Sequence, residues 1–128
     1  MTLALLLELL ERRAIEELRS EIAAPLKAYE RALKERGRAA SIVLNEAGTP
    51  ARVRELHVRN LINAYVSREL SAIELDYLAN ALDLSEDAEY SAESVREVVF
   101  ALSSPEVNGQ LSADRIVELL NELSRGAA

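Results

Sequence analysis

One pattern recurs three times in the second half of the chain and predicts where three helices begin. An apolar residue precedes a serine-alanine pair each time, and another apolar residue stands four places after the serine. The three copies are Leu70-Ser71-Ala72, Tyr90-Ser91-Ala92 and Leu111-Ser112-Ala113. The serine hydroxyl can accept a hydrogen bond from a backbone N–H of the first helical turn, while the flanking apolar side chains pack together as a hydrophobic staple. We therefore expect three short capped helices near residues 72–83, 92–102 and 113–124.

The residues that follow each serine support this prediction, because apolar side chains recur at intervals of three or four. They are Leu75, Leu78 and Leu82, then Val95, Val98 and Leu102, then Ile116, Leu119 and Leu123. Such spacing places them on one face of a helix. Each of the three helices should therefore bury one side.

The first half of the chain also favours helices. A first helix is predicted from about Leu3 to Ala23, and we expect Pro25 to kink or break it, because proline lacks a backbone donor. The β-branched run at 41–44 is too short for a sheet and is interpreted as a helix end or linker. Pro50 is predicted to stand in the first turn of the next helix, which contains Val53.

These patterns predict an all-α fold, a compact bundle of five or six helices. The chain has 128 residues, 49% hydrophobic and 29% charged, which suits a single domain over residues 1–128. Within it we expect an N-terminal helical hairpin at about 2–47 and a C-terminal helical repeat region at about 50–125.

The N-terminal leucines would cover most of a helix with apolar surface. Such a helix must be buried in its own bundle or against another chain. Leu3, Leu6, Leu7 and Leu10 are therefore candidate contacts of a homodimer. Residues 1–36 also have the Ala, Leu, Glu and Arg bias of idealised helices, which leaves an engineered segment as an alternative.

Charge is distributed unevenly. Residues 1–68 carry 12 Lys and Arg against 9 Asp and Glu, whereas residues 69–128 carry 3 against 13. An acidic surface repels nucleic-acid phosphates and speeds encounter with basic proteins. We therefore expect a basic protein partner and neither nucleic acid nor membrane.

Catalytic and ligand motifs are absent from the sequence. The chain has no cysteine and one histidine, His57, which we interpret as a neutral surface or boundary residue. Neither a di-iron nor a zinc pattern is found, and the loops at 83–94 and 104–115 lack the final glutamate of a calcium-binding loop. We expect no enzyme activity, no metal and no cofactor. The lack of cysteine and of a signal or membrane-spanning segment predicts a cytoplasmic location.

Parts of the C-terminal half resemble small bacterial immunity proteins encoded beside secreted toxins. The resemblance lies in residues 61–71, 74–79 and 104–109 and covers about the last seventy residues. It implies a non-enzymatic cytoplasmic protein that binds a toxin domain and blocks its active site.

The predicted contact surface is the longest loop between the repeats. Its carboxylates are Asp83, Glu86, Asp87 and Glu89, and Tyr77 and Tyr90 are candidate aromatic anchors nearby. Alternatively, these carboxylates are ordinary solvated side chains of a turn. Tyr77 then belongs to a helix face, and Tyr90 belongs to the hydrophobic staple described above. The alternative function is a helical adaptor or regulatory subunit that dimerises through the leucine-rich N-terminal helix.

Overall fold

Helices make up most of the residues that the computed structural model describes, which are 1–36, 50–103 and 111–126. The six helices of this part are α1 (Leu3–Glu11), α2 (Ile15–Arg36), α3 (Glu55–Val66), α4 (Ala72–Leu84), α5 (Glu93–Ser103) and α6 (Ala113–Gly126). Two short strands, β1 (Ala51–Val53) and β2 (Ala88–Tyr90), pair in parallel. The predicted all-α bundle is confirmed.

Two of the three predicted serine caps are formed. The Ser71 hydroxyl accepts a hydrogen bond from the Glu74 backbone N–H at 3.2 Å, and the Glu74 carboxylate accepts one from the Ser71 N–H at 2.8 Å. Ser112 likewise accepts from the Arg115 N–H at 3.1 Å. These contacts form because a side-chain oxygen at the cap replaces a partner that the first helical turn lacks.

The second of the three predicted helix starts, at Ser91, differs from the others because a strand precedes it. The Ser91 N–H donates to the Val53 carbonyl at 3.0 Å and extends the pairing of β1 with β2. Helix α5 then begins at Glu93, and the Ala92 carbonyl accepts the Arg96 N–H at 3.4 Å. The helix therefore starts one residue later than predicted.

The small sheet is absent from the sequence-based prediction. Its register pairs Ala51 with Ala88 and Val53 with Tyr90, and α3 and α4 lie in the connection between the two strands. Pro50 precedes β1 instead of starting a helix, so the prediction for this segment was wrong. Strands of three residues are too short to show the alternation by which a strand is found.

The first helix ends at Glu11 instead of near Ala23, and of the predicted kink or break at Pro25 the break was wrong, because α2 continues through this residue. Arg13 has φ 57°, and the Ala14 N–H donates to the Leu9 carbonyl at 2.9 Å. This is the Schellman motif, in which one residue of left-handed backbone ends an ordinary α-helix. Pro25 lies inside α2 and is exposed, so water can reach the carbonyl whose partner the proline removes.

A second junction repeats this geometry. Arg68, between α3 and α4, has φ 67°, and the Glu69 N–H donates to the Ala64 carbonyl at 2.9 Å. Both turns end a helix with arginine in left-handed backbone, where glycine is the usual residue. The segments 41–44 and 104–110, for which a linker and part of a loop were predicted, lie outside the described residues.

Helix α1 is nearly surrounded by its own chain. It packs against α2, α3 and β1, and only one stripe of it, Ala4, Glu8 and Glu11, is exposed. The candidate dimer leucines are buried in the core: Leu3, Leu6, Leu7 and Leu10 are 3%, 0%, 5% and 0% exposed. The structure thus contradicts their assignment to a homodimer contact, since side chains packed in the core cannot also contact a second chain.

Candidate functional site

The predicted acidic residues lie along one edge of the fold, from the end of α4 through β2 to the first turn of α5. We call Asp83, Glu86, Asp87, Glu89 and Glu93 the acidic strip. Glu86, Glu89 and Glu93 are exposed, while Asp83 and Asp87 are half-buried. Residues 83–93 contain no lysine or arginine.

The backbone of the acidic strip is held by the sheet and by one tyrosine. The Ala51 N–H donates to the Asp87 carbonyl at 2.9 Å, next to the Ser91–Val53 bond described above. The Tyr90 hydroxyl donates to the Leu82 carbonyl at 3.1 Å. The segment predicted as a contact loop is therefore held by backbone hydrogen bonds and by Tyr90, so its carboxylates are positioned before any partner binds.

An apolar side chain accompanies these charges. Leu84, the last residue of α4, is 58% exposed and lies directly after Asp83 in the chain. Opposite Glu89 in the register stands Arg52, which is also exposed and is the basic side chain nearest along the sheet. An exposed leucine among carboxylates offers both apolar and ionic contacts to a partner.

The two candidate aromatic anchors serve the fold instead. Tyr77 is 4% exposed and packs edge-to-face against Tyr29, with ring centroids 5.4 Å apart. Burial raises the pKa of Tyr77. Burial, aided by the negative charge of Asp83, raises the pKa of Tyr90 to about 12. The structure therefore contradicts the role of Tyr77 as an exposed anchor, and the Tyr90 hydroxyl is already occupied by the end of α4.

His57 is buried, which the sequence analysis missed. It is 2% exposed, and its Nδ1 accepts the Arg54 backbone N–H at 2.9 Å. Its Nε2 lies 3.6 Å from Glu11 Oε2, and Glu11 Oε1 accepts from Arg54 Nη2 at 2.8 Å. This cluster joins the end of α1 to the start of α3. The spacing Arg54–His57 is that of an N-terminal capping box, and this was the only signal available in the sequence.

An Asn60 contact strengthens the same joint. Its Nδ2 donates to the Leu10 carbonyl at 2.9 Å, and the side chain is buried. The carbonyls at the end of a helix lack partners within it, so this bond caps α1 from α3. With His57 enclosed in this way, its imidazole is not accessible to a substrate.

A groove of about 570 Å³ is present on the described part of the chain. It lies between the α3–α4 turn and the start of α6. Its charged side chains are Arg19, Arg68, Glu69 and Glu74. Arg19 donates from Nε to Glu74 Oε2 at 2.9 Å, so the groove has mixed charge and a structural ion pair in its wall.

Metal-holding side-chain groups and membrane-spanning helices are not found in residues 1–36, 50–103 and 111–126. These residues contain no group of three or more His, Asp or Glu side chains placed to hold a metal ion. The helices in the same ranges include none with the length and apolar content needed to cross a membrane.

Comparisons with known proteins identify no family for this chain. No protein-family model matches the chain, and the searches of curated proteins and of solved structures give no match either.

Proposed function

We propose that this protein is a non-enzymatic inhibitor that binds a basic protein through its acidic strip, in the manner of an immunity protein that blocks a toxin domain. The observation that carries the proposal is the acidic strip, five carboxylates in a segment that itself contains no lysine or arginine, on a backbone held by hydrogen bonds to β1 and by the Tyr90 hydroxyl, with Arg52 of β1 opposite Glu89. A cytoplasmic location belongs to the same proposal.

Preorganisation is the first reason that the acidic strip suits binding. Association costs free energy when it immobilises a flexible loop, and a segment already held by backbone hydrogen bonds avoids much of that cost. The Ala51–Asp87 and Ser91–Val53 bonds lie on either side of Glu89. This side chain can thus contact a partner without ordering of its backbone.

Charge is the second reason. Fields of one sign accelerate the encounter of oppositely charged proteins, and this acceleration weakens as salt screens the charges. Leu84, which is 58% exposed beside these carboxylates, supplies apolar area that salt does not weaken. The proposed mechanism is steering by the carboxylates followed by occlusion, in which the inhibitor covers the basic active site of its partner.

The experiment begins with the immobilised protein and a lysate of its source organism at low salt. Captured proteins are identified by mass spectrometry, and the association rate of the main one is measured over a salt series. The test variant is Glu86→Gln/Glu89→Gln, and Glu21→Gln/Asp114→Asn is the matched control. All four positions are exposed, and both variants remove two negative charges.

We expect a basic partner whose association rate falls at least tenfold between about 0.05 and 0.5 M salt. The test variant should lower the low-salt rate several-fold, whereas the control should change it less than twofold. Equal effects of the two variants would show that net charge, and not the acidic strip, governs the encounter. Capture of no basic protein would contradict the proposal itself.

A further inference from the structure

We propose that His57 is an acid-sensitive latch that holds the acidic strip in place, a form of regulation that rests on the proposed function. The imidazole controls the start of α3, and β1 immediately precedes that start. Protonation of His57 releases the start of α3 and loosens the pairing of β1 with β2.

The hydrogen bonds of His57 specify its protonation state. Because Nδ1 accepts the Arg54 N–H, it carries no proton, and the neutral ring must hold its proton on Nε2. Nε2 is buried and has no hydrogen-bond partner in the described structure. The nearest carboxylate oxygen, Glu11 Oε2, is 3.6 Å away, beyond ordinary hydrogen-bond length.

An imidazolium cannot keep these contacts. It carries a proton on both nitrogens, so Nδ1 can no longer accept the Arg54 N–H, and that backbone donor loses its partner. Two charged groups face the ring within the described residues: Glu11 from α1 favours the imidazolium, and Arg54 opposes it. Burial acts with Arg54 and lowers the pKa of His57 below its ordinary value.

The released donor lies next to the sheet. Arg54 follows Val53, whose carbonyl accepts the Ser91 N–H at 3.0 Å, and β2 carries Glu89. A change at the Arg54 backbone is therefore one residue from the bond that holds the acidic strip on β1. An opened form, in which His57 reaches water, titrates near the ordinary pKa of about 6.5.

The magnitude follows from linkage. The closed form, in which His57 is buried and accepts the Arg54 N–H, has its full stability above a pH of about 6.5. Its population relative to the opened form decreases as the pH falls, because the opened form binds the proton more tightly. One pH unit below the ordinary value, at pH 5.5, the opened population rises up to about tenfold relative to the closed one.

Amide hydrogen exchange measured by NMR on the full chain tests the latch. The amides of Arg54 and Ser91 report the start of α3 and the strand pairing, and Leu78 in α4 is an internal control. Exchange rates are corrected for the intrinsic effect of pH. We expect protection at Arg54 and Ser91 to fall by more than twofold and up to about tenfold between pH 7.5 and 5.5, and that of Leu78 to stay within twofold.

The His57→Asn variant isolates the imidazole. Its side-chain oxygen can accept the Arg54 N–H but does not titrate, so its protection at Arg54 and Ser91 should change less than twofold over the same range. A second variant, Glu11→Gln, keeps an oxygen for Arg54 and removes the charge that favours the imidazolium. In that variant the midpoint of the His57 titration, followed by the NMR shifts of its ring protons, should move to lower pH. This measurement still tests the latch if His57→Asn fails to fold.

Equal pH dependence in the wild type and His57→Asn, or constant protection in the wild type, would overturn the latch. So would a His57 midpoint at or above about 6.5. These measurements need no partner, so their failure leaves the binding proposal standing. Failure of the capture experiment, in turn, leaves the measured acid sensitivity intact.

Discussion

Replacing Arg13 or Arg68 by glycine should stabilise the protein, although most substitutions destabilise. Both arginines occupy left-handed backbone, with φ 57° and 67°. There the β-carbon lies too close to the following carbonyl oxygen, at a cost of roughly 1–2 kcal/mol. Glycine has no β-carbon and adopts this conformation without that cost.

The expected gain is smaller than the relieved strain. Glycine has more freedom in the unfolded chain, which offsets roughly 0.5–1 kcal/mol. Each substitution should therefore raise the free energy of unfolding by about 0.5–1 kcal/mol. One junction connects α1 to α2 and the other connects α3 to α4, so the two substitutions share no turn, and their effects should add in the double variant.

Urea denaturation followed by circular dichroism at 222 nm measures these changes. Arg13→Ala and Arg68→Ala are the matched controls, because they remove the same charge and side chain and keep the β-carbon. We expect the urea midpoint to rise for the glycine variants by roughly 0.2–0.6 M with an unchanged slope, and to move little for the alanine variants. Glycine variants no more stable than their alanine counterparts would refute the assignment of strain to these two junctions.

Three further predictions concern polar contacts in the core. Tyr29→Phe removes the hydroxyl that donates to Asp76 Oδ2 at 2.8 Å and keeps the ring packing, so urea denaturation should show a loss of about 1.5 kcal/mol; no loss would contradict this bond. Asn60→Ala removes the buried side-chain bond from α3 to the Leu10 carbonyl at the end of α1, and we expect a loss of about 2 kcal/mol by the same assay; an unchanged free energy of unfolding would contradict this contribution. At Glu74, burial favours the neutral acid, but the accepted hydrogen bonds outweigh it and lower the pKa. The stability that they supply is present above a pH of about 4.5 and lost below it, so Glu74→Gln should flatten the fall in urea midpoint between pH 5 and 3; a parallel fall in both proteins would exclude this source.

Local signals explain which parts of the fold could be predicted from the sequence. The start of α4 was predictable because Ser71 and Glu74 satisfy each other within one turn. The junction at Arg13 was not, since arginine shows no preference for left-handed backbone and the change in direction depends on how α1 docks. Pro25 misled because the cost of proline in a helix depends on exposure, and here the position faces water.

The candidate site likewise has features that the sequence predicted and features that it could not predict. The acidic strip was visible as a run of charge, whereas the sheet that supports it depends on pairing between distant segments. The leucine pattern predicted that α1 is buried but not by which surface, and the structure covers Leu6 and Leu10 completely with the same chain. The exposure of Tyr77 could not be read from its neighbours, because Tyr29, which covers it, belongs to another helix.

The parallel pairing of β1 with β2 also affects the order of folding. Contacts within the α4–α5 pair are short in sequence, but Val53 and Ser91 can meet only after α3 and α4 have brought the two strands together. We therefore expect this pairing to form late in folding. A partner that binds only the paired form would add its binding free energy to this pairing, and would therefore stabilise the folded state in proportion to its concentration.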